Sequence, residues 1–250
     1  MKISLILPCY NEETNLQRGV LDKIGNFISE DDRFEEVIIV DDGSTDGSRE
    51  IIQKKYIPQN KKFKLIENAH RGKAYAVMTG IDKARGDYVL FSDIDLATPI
   101  EESKKLIQEI AHGYTIIIGS RKSQRKGAPF LRKIMARGAV FVRGALINLN
   151  GLKDTQCGFK LFEKKAAKDI ISRMRVYHTS RKIRGSSVSA GFDMEFLFIA
   201  TKLGYKIKEI PVTWKHVETR NVNFIKDSIG GLKDISLIKF NDLLGKYELS

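Results

Sequence analysis

The chain has 250 residues, 42% of them apolar and 30% charged, which describes a globular protein with a sizeable core and excludes a disordered polymer. A formal charge of +12 asks for a polyanionic neighbour, whether nucleic acid, an acidic membrane surface or a phosphorylated substrate. Two distant cysteines, Cys9 and Cys157, and four scattered histidines indicate neither a disulfide framework nor a zinc site, which suits a reducing cytosol.

In chain order, strand and helix signals alternate through the first half. Lys2 to Leu7 reads as a strand, and Glu13 to Ile28 has helical spacing at Leu16, Val20, Ile24 and Phe27. A strand at Glu36 to Val40, a helix at Thr45 to Lys54, a strand at Phe63 to Ile66 and a helix at Lys73 to Ala84 follow. Next come a strand at Asp87 to Phe91, a helix at Pro99 to Ile110 with proline in its first turn, and a strand at Thr115 to Ile118. This rhythm predicts an α/β fold with a mostly parallel, doubly wound sheet flanked by helices. It breaks after Gly119. A polar loop precedes a helix at Phe130 to Asn148, then come the stretch Gly158 to Phe162, a helix at Lys164 to Arg173, a basic loop through Gly185, a helix at Phe192 to Lys202 and a strand at Lys206 to Val212. The last stretch, Val222 to Tyr247, is an amphipathic helix pattern, so residues 1–215 form the expected main domain and 216–250 a tail. With a strand read from Lys2, no signal peptide is expected, and no stretch approaches the ~18 uninterrupted apolar residues of a spanning helix.

Two acidic clusters close apolar runs. Val37 to Val40 leads into Asp41 and Asp42, and Tyr88 to Phe91 leads into Asp93 and Asp95. Ligands of open α/β sheets collect beyond the carboxyl ends of the strands, and an Asp-x-Asp pair there can face a hard divalent cation that also holds a diphosphate. The same acids also suit turn and helix capping. Charge is lopsided further on: no acid lies between Glu109 and Asp154, whereas Arg121, Lys122, Arg125, Lys126, Arg132, Lys133, Arg137, Arg143 and Lys153 are basic. Guanidinium groups suit phosphate, although a solvated helix face is the alternative for Lys122, Arg125 and Lys126, less so for Arg121, which follows a strand end on the ligand side of the sheet.

Taken together, Ile6-Leu7-Pro8-Cys9-Tyr10-Asn11-Glu12, VDDGSTDGS at Val40 to Ser48, Arg71-Gly72-Lys73-Ala74 and LFSDIDLAT at Leu90 to Thr98 resemble glycosyltransferase family 2. Gly119-Ser120-Arg121, DTQCGFKLF at Asp154 to Phe162 and FDMEFLFIA at Phe192 to Ala200 resemble its dolichyl-phosphate (polyprenyl-phosphate) β-glucosyltransferase branch. The resemblance implies a GT-A fold. It also implies that Pro8, Tyr10, Asn11 and Glu12 hold the nucleotide, that Asp41 or Asp42 contacts base or ribose, and that Lys73 lies near the nucleotide sugar. Asp93 and Asp95 match the acids that bind sugar, ribose and a Mg²⁺ or Mn²⁺ cofactor, and Arg121 and Arg132 match basic residues that grip the acceptor phosphate. Ala97 stands where mannosyl-type relatives often carry Gln, which favours glucose, whereas Glu218-Thr219-Arg220-Asn221 departs from the Gly-Ser-Lys pattern of glucosyl enzymes. The membrane anchor that precedes the domain in eukaryotic relatives is expected to be absent.

Chemistry makes the acceptor the deciding question. A hydroxyl acceptor needs a positioned base, for which Asp193 and Glu195 are the candidates, whereas a phosphate monoester is already largely ionised at neutral pH and needs positioning and charge screening. The expected function is an inverting, metal-dependent transfer of a hexose, glucose by preference, from a UDP-sugar to polyprenyl phosphate. Mannosyl transfer from GDP and transfer to a hydroxyl are the alternatives. Anionic membrane rather than nucleic acid then accounts for the charge, and a cytoplasmic protein, peripheral on the membrane face, is expected.

Overall fold

The computed structural model describes residues 1–121, 144, 146, 147, 149, 151–177, 190–215 and 224–248, with backbone alone at 190 and 224–229. Seven strands form one sheet: β1 (Ile3–Cys9), β2 (Phe34–Asp41), β3 (Phe63–Glu67), β4 (Tyr88–Ser92), β5 (Ile116–Arg121), β6 (Phe159–Glu163) and β7 (Ile207–Val212), in the order β3-β2-β1-β4-β6-β5-β7. β1 runs parallel to β2 and β4, β2 to β3, and β5 to β7. β6 alone is antiparallel to both of its neighbours, β4 and β5. That reversal brings the segment before β6 to the carboxyl end of β4, because Phe159 pairs with Ser92.

Besides short helical turns at Ile52–Tyr56, Ile57–Gln59, Ile100–Glu102 and Glu109–His112, the described helices include α1 (Glu13–Gln17), α2 (Val20–Ser29), α3 (Ser48–Ile51), α4 (Lys73–Lys83), α5 (Ser103–Gln108), α6 (Lys164–Arg173), α7 (Ala190–Lys202) and α8 (Phe224–Leu243). Covered on both faces, the inner strands carry nearly continuous apolar runs. Leu5 and Leu7 of β1 pack with Leu16, Leu21, Ile24 and Ile28 on one side. Ile6 packs with Val77 and Ile81 of α4 in the second core, which extends through Phe91, Phe162 and α7 to Ile235 and Ile238 of α8. Gly80 lets α4 approach closely, since a Cβ there would lie 2.5 Å from Ile6 Cγ2.

Three expectations shift. The single helix expected over Glu13 to Ile28 is two, broken where Gly19 takes φ 76°, a left-handed turn that a residue without Cβ accepts readily. The helix expected at Thr45 begins at Ser48, because the Thr45 N–H is given to Asn11 Oδ1 and the Ser48 N–H to Asp46 Oδ1. It then runs on through a π-helical turn, Ile52–Tyr56, to Gln59, past the expected end at Lys54. The tail packs back on α7: Tyr177 Oη donates to Asp234, and Gly191 leaves the room that the Asp234 carboxylate fills. The expected helix at Phe130 to Asn148, the basic loop through Gly185, and residues 218–221 fall wholly or mostly outside the described residues. No helix among the described residues is long and apolar enough to cross a membrane.

Candidate active site

The carboxyl ends of β1, β2 and β4 open on one cleft, lined by Pro8, Cys9, Tyr10, Glu12, Asp42, His70, Gly72, Lys73, Asp93, Ile94 and Asp95. A second depression, at Met1, Phe27, Asp31, Arg33 and Lys104, lies at the amino ends of β1 and β2, away from these acids.

After β1 the chain turns at Asn11, whose φ of 54° is one that Asn tolerates better than most residues. Its N–H donates to Ser44 Oγ at 3.0 Å, and the Glu12 N–H donates to Ser48 Oγ at 2.7 Å. The Glu13 carboxylate receives the Gly47 N–H at 2.9 Å. The loops after β1 and β2 are thereby tied into one wall. Glu12 is buried and receives Asn15 Nδ2 at 2.6 Å. The Tyr10 ring stacks on His70 with centroids 4.1 Å apart, and Pro8 completes that side.

Asp41 and Asp42 separate in role. Asp41 is wholly buried outside the cleft lining and takes Arg49 Nη2 at 2.6 Å and Nε at 2.9 Å. Asp42 lines the cleft and receives the N–H groups of Arg71 at 2.9 Å and Gly72 at 2.6 Å, with His70 Nδ1 2.9 Å away. These contacts shape the loop that starts α4, where Gly72 takes φ 90°. Lys73, the first residue of α4, reaches over the Phe91 ring and pairs with Asp93.

Asp93 follows β4 directly. Its N–H donates to Gly158 O at 3.1 Å, its carbonyl receives the Leu96 N–H, and Asp95 Oδ1 receives the Ala97 N–H at 3.0 Å. Gly158 is required there, since a Cβ would stand 2.1 Å from Asp93 Oδ2. The two acids fit a hard cation shared with a diphosphate: they offer oxygen alone, and no three His, Cys, Asp or Glu side chains converge as a metal site among the described residues. A cation held there takes its other ligands from phosphate and water, as Mg²⁺ does.

Across the Cys157–Gly158 turn stands Arg121, the last residue of β5. Its Nε and Nη2 grip Asp154 at 2.7 and 2.8 Å, and its own N–H donates to the same carboxylate. Burial pushes the Asp154 carboxyl up, but the Arg121 guanidinium more than offsets this and holds it below the usual range; the same bonds raise Arg121. Glu209 in turn receives the N–H groups of Lys153 and Asp154 at 2.8 and 2.7 Å. Arg132 lies outside the described residues.

Both base candidates are engaged. Asp193, in the first turn of α7, accepts Lys160 Nζ at 2.6 Å. That lysine is 1% exposed and also donates to Cys157 O at 2.5 Å. Glu195 is fully buried and receives the N–H groups of Arg175, Val176 and Tyr177 and the Tyr247 hydroxyl, all within 2.9 Å. It ties a loop and the tail to α7 and lines neither of the two depressions described above. Burial pushes the Cys157 thiol up to about 11 and raises Cys9 as well, so neither is poised as a thiolate. Sequence reasoning passed over Asp154, Lys160, Arg49 and His70 as individuals. For Asp154 a signal existed: it is the acid that ends the acid-free basic stretch.

The family model described as Glycosyl transferase family 2 matches residues 4–171. A dolichyl-phosphate beta-glucosyltransferase of Dictyostelium discoideum is 32% identical over 267 residues, covering 99% of this chain and 76% of that protein. One of Saccharomyces cerevisiae is 31% identical, covering 98% and 76%. Mannosyl-3-phosphoglycerate synthase from Rubrobacter xylanophilus shares the fold with a TM-score of 0.70 at 13% identity, over all of this chain and 76% of that one. Glucosyl-3-phosphoglycerate synthase from Mycobacterium tuberculosis, solved with Mn²⁺, UDP-glucose and phosphoglyceric acid, gives 0.67 at 16%, covering 96% and 80%. Sheet order, paired acids and these likenesses converge: the fold is GT-A, and the chain is a glycosyltransferase belonging to family 2.

Proposed function

We propose that this enzyme transfers a hexose, glucose by preference, from UDP to a polyprenyl phosphate such as dolichyl phosphate, with inversion and with a divalent cation. One observation carries the reading: Asp93 and Asp95 line the cleft, Arg121 stands outside that lining across the Cys157–Gly158 turn, and both carboxylates that could serve as a base are engaged by other protein groups. Such a site suits an acceptor that brings its own negative oxygen. Asp42, Tyr10 and Lys73 border the nucleotide side, Asp93 and Asp95 would hold the metal, and Arg121 steers the acceptor phosphate toward the anomeric carbon opposite the leaving diphosphate. A bound Mg²⁺ or Mn²⁺ supplies Lewis-acid stabilisation of the departing UDP. The named relatives act on dolichyl phosphate, and a solved structure of the same fold holds Mn²⁺ and UDP-glucose.

The acceptor lives in a bilayer, and we infer peripheral attachment through α8, with the cytoplasmic face as the proposed side. In α8, Ile235 and Ile238 face the core, whereas Leu232, Leu237, Phe240 (57% exposed) and Leu243 (73%) are exposed, as is Leu244 just past its end, with Lys233 and Lys239 nearby. At 100° per residue these apolar positions fall on one side of the helix, the arrangement of an interfacial helix.

The deciding assay mixes purified protein with labelled UDP-glucose or GDP-mannose and either polyprenyl phosphate or polyprenol, in Mg²⁺, Mn²⁺ or EDTA. Glucosyl polyprenyl phosphate formed only with metal is expected. Undiminished transfer in EDTA would sink the metal requirement, preference for polyprenol the phosphate acceptor, and preference for GDP-mannose the sugar.

A further inference from the structure

The sequence has one tryptophan, Trp214, and the structure leaves it 39% exposed. An isolated exposed apolar side chain needs no explanation. The setting of this one is unusual. Its backbone is fixed on both sides: the Thr213 N–H donates to Glu102 Oε2 at 3.1 Å, and the Lys215 N–H donates to the carbonyl of Ala97, two residues past Asp95, at 2.8 Å. Trp214 lies two residues past the end of β7, whose last residue, Val212, pairs with Arg121. The Arg121 guanidinium carbon lies 5.7 Å from the indole centroid, within cation–π range. A large apolar ring is thus held in place beside the group expected to bind phosphate.

Asp154 occupies two of the five guanidinium N–H bonds of Arg121, which leaves three for an anion. A lipid monophosphate seated there carries its isoprene chain on the ester oxygen, next to the indole. We propose that Trp214 is the subsite for the isoprene units nearest the acceptor phosphate, so that Arg121 and Trp214 together read an isoprenyl monophosphate: charge at one, branched hydrocarbon at the other. The inference rests on the phosphate-acceptor reading above and adds the recognition of the lipid to it.

A single tryptophan makes the test direct in the unmodified protein. Titration with a ten-carbon isoprenyl monophosphate should shift its fluorescence to the blue and saturate, because the indole leaves water, whereas inorganic phosphate at equal concentration should not. Trp214→Ala should raise KM for the isoprenyl phosphate about tenfold with KM for the UDP-sugar within about twofold, and Trp214→Phe should keep most of the affinity. Equal shifts with inorganic phosphate and isoprenyl phosphate would overturn the subsite, as would no shift at all or an unchanged KM in Trp214→Ala. If those failures occur while wild type glycosylates the isoprenyl phosphate, the subsite alone falls. If wild type ignores that acceptor and uses the corresponding alcohol, both readings fall.

Discussion

Gly158 is the residue at which one added carbon would disturb the site most directly. A Cβ there meets Asp93 Oδ2 at 2.1 Å, so Gly158→Ala must displace either the carboxylate or the turn. Turnover is expected to fall by about two orders of magnitude while the thermal midpoint moves by only a few degrees, measured by sugar transfer and calorimetry. Asp95→Asn keeps the shape of its loop, including the Ala97 N–H bond, but removes a charge; it should cost about as much activity and leave the fold intact. Asp154 acts through Arg121. Asp154→Asn cannot accept both guanidinium N–H groups, so KM for lipid phosphate should rise about tenfold with KM for UDP-glucose nearly unchanged. Asp193→Asn separates a base from a counter-ion: loss of the Lys160 pair predicts lower stability and a kcat within about tenfold of wild type, whereas a working base would cost 10²-fold or more.

At the scale of elements, α8 has two faces with opposite expectations. Ile238 is buried in the core shared with α7, so Ile238→Asp places a carboxylate among apolar side chains and should cost about 3 kcal/mol or more in denaturant unfolding. Phe240 and Leu243 are on the exposed side, and the double change Phe240→Asp, Leu243→Asp should leave stability nearly unchanged. The same double variant should lose co-sedimentation with anionic vesicles. Retained binding would rule out α8 as the attachment site, and charge reversal in the basic sequence from Arg132 to Arg143 would be the next variant to test.

For the molecule as a whole, stability should fall at both ends of the pH scale for identifiable reasons. Buried Glu36 receives Ser4 Oγ, Lys64 Nζ and the Arg85 N–H; burial pushes its carboxyl up, and these bonds bring it below the usual range. Asp154 is depressed as well. A depressed carboxyl adds stability above its unfolded pKa of about 4 and loses it as pH falls through the folded value, so unfolding should accelerate below about pH 4. Tyr247 behaves oppositely. Burial, and then Glu195 beside it, raises its phenol, so its stabilisation is complete below the unfolded pKa of about 10 and declines as pH rises beyond that. Thermal melts should show an alkaline limb above about pH 10 that flattens in Tyr247→Phe, a variant less stable at neutral pH.

Alternating apolar runs and amphipathic stretches were enough to place the strands from β1 to β5 and most helices, because backbone period and burial are local properties. Acids after β2 and β4 were legible for the same reason, since a strand followed by a carboxylate aims it past the sheet edge. Only the tertiary structure divided Asp41 from Asp42: adjacent in sequence, one turns inward to Arg49 and the other lines the cleft. Only the antiparallel insertion of β6 carried Gly158 to Asp93 and Asp154 to Arg121, across separations of 65 and 33 residues that no local pattern spans. The two base candidates were decided in the same way. Nothing in Phe-Asp-Met-Glu announces that Asp193 meets a buried lysine or that Glu195 anchors a loop and the tail, because each partner lies on a separate element brought close by folding.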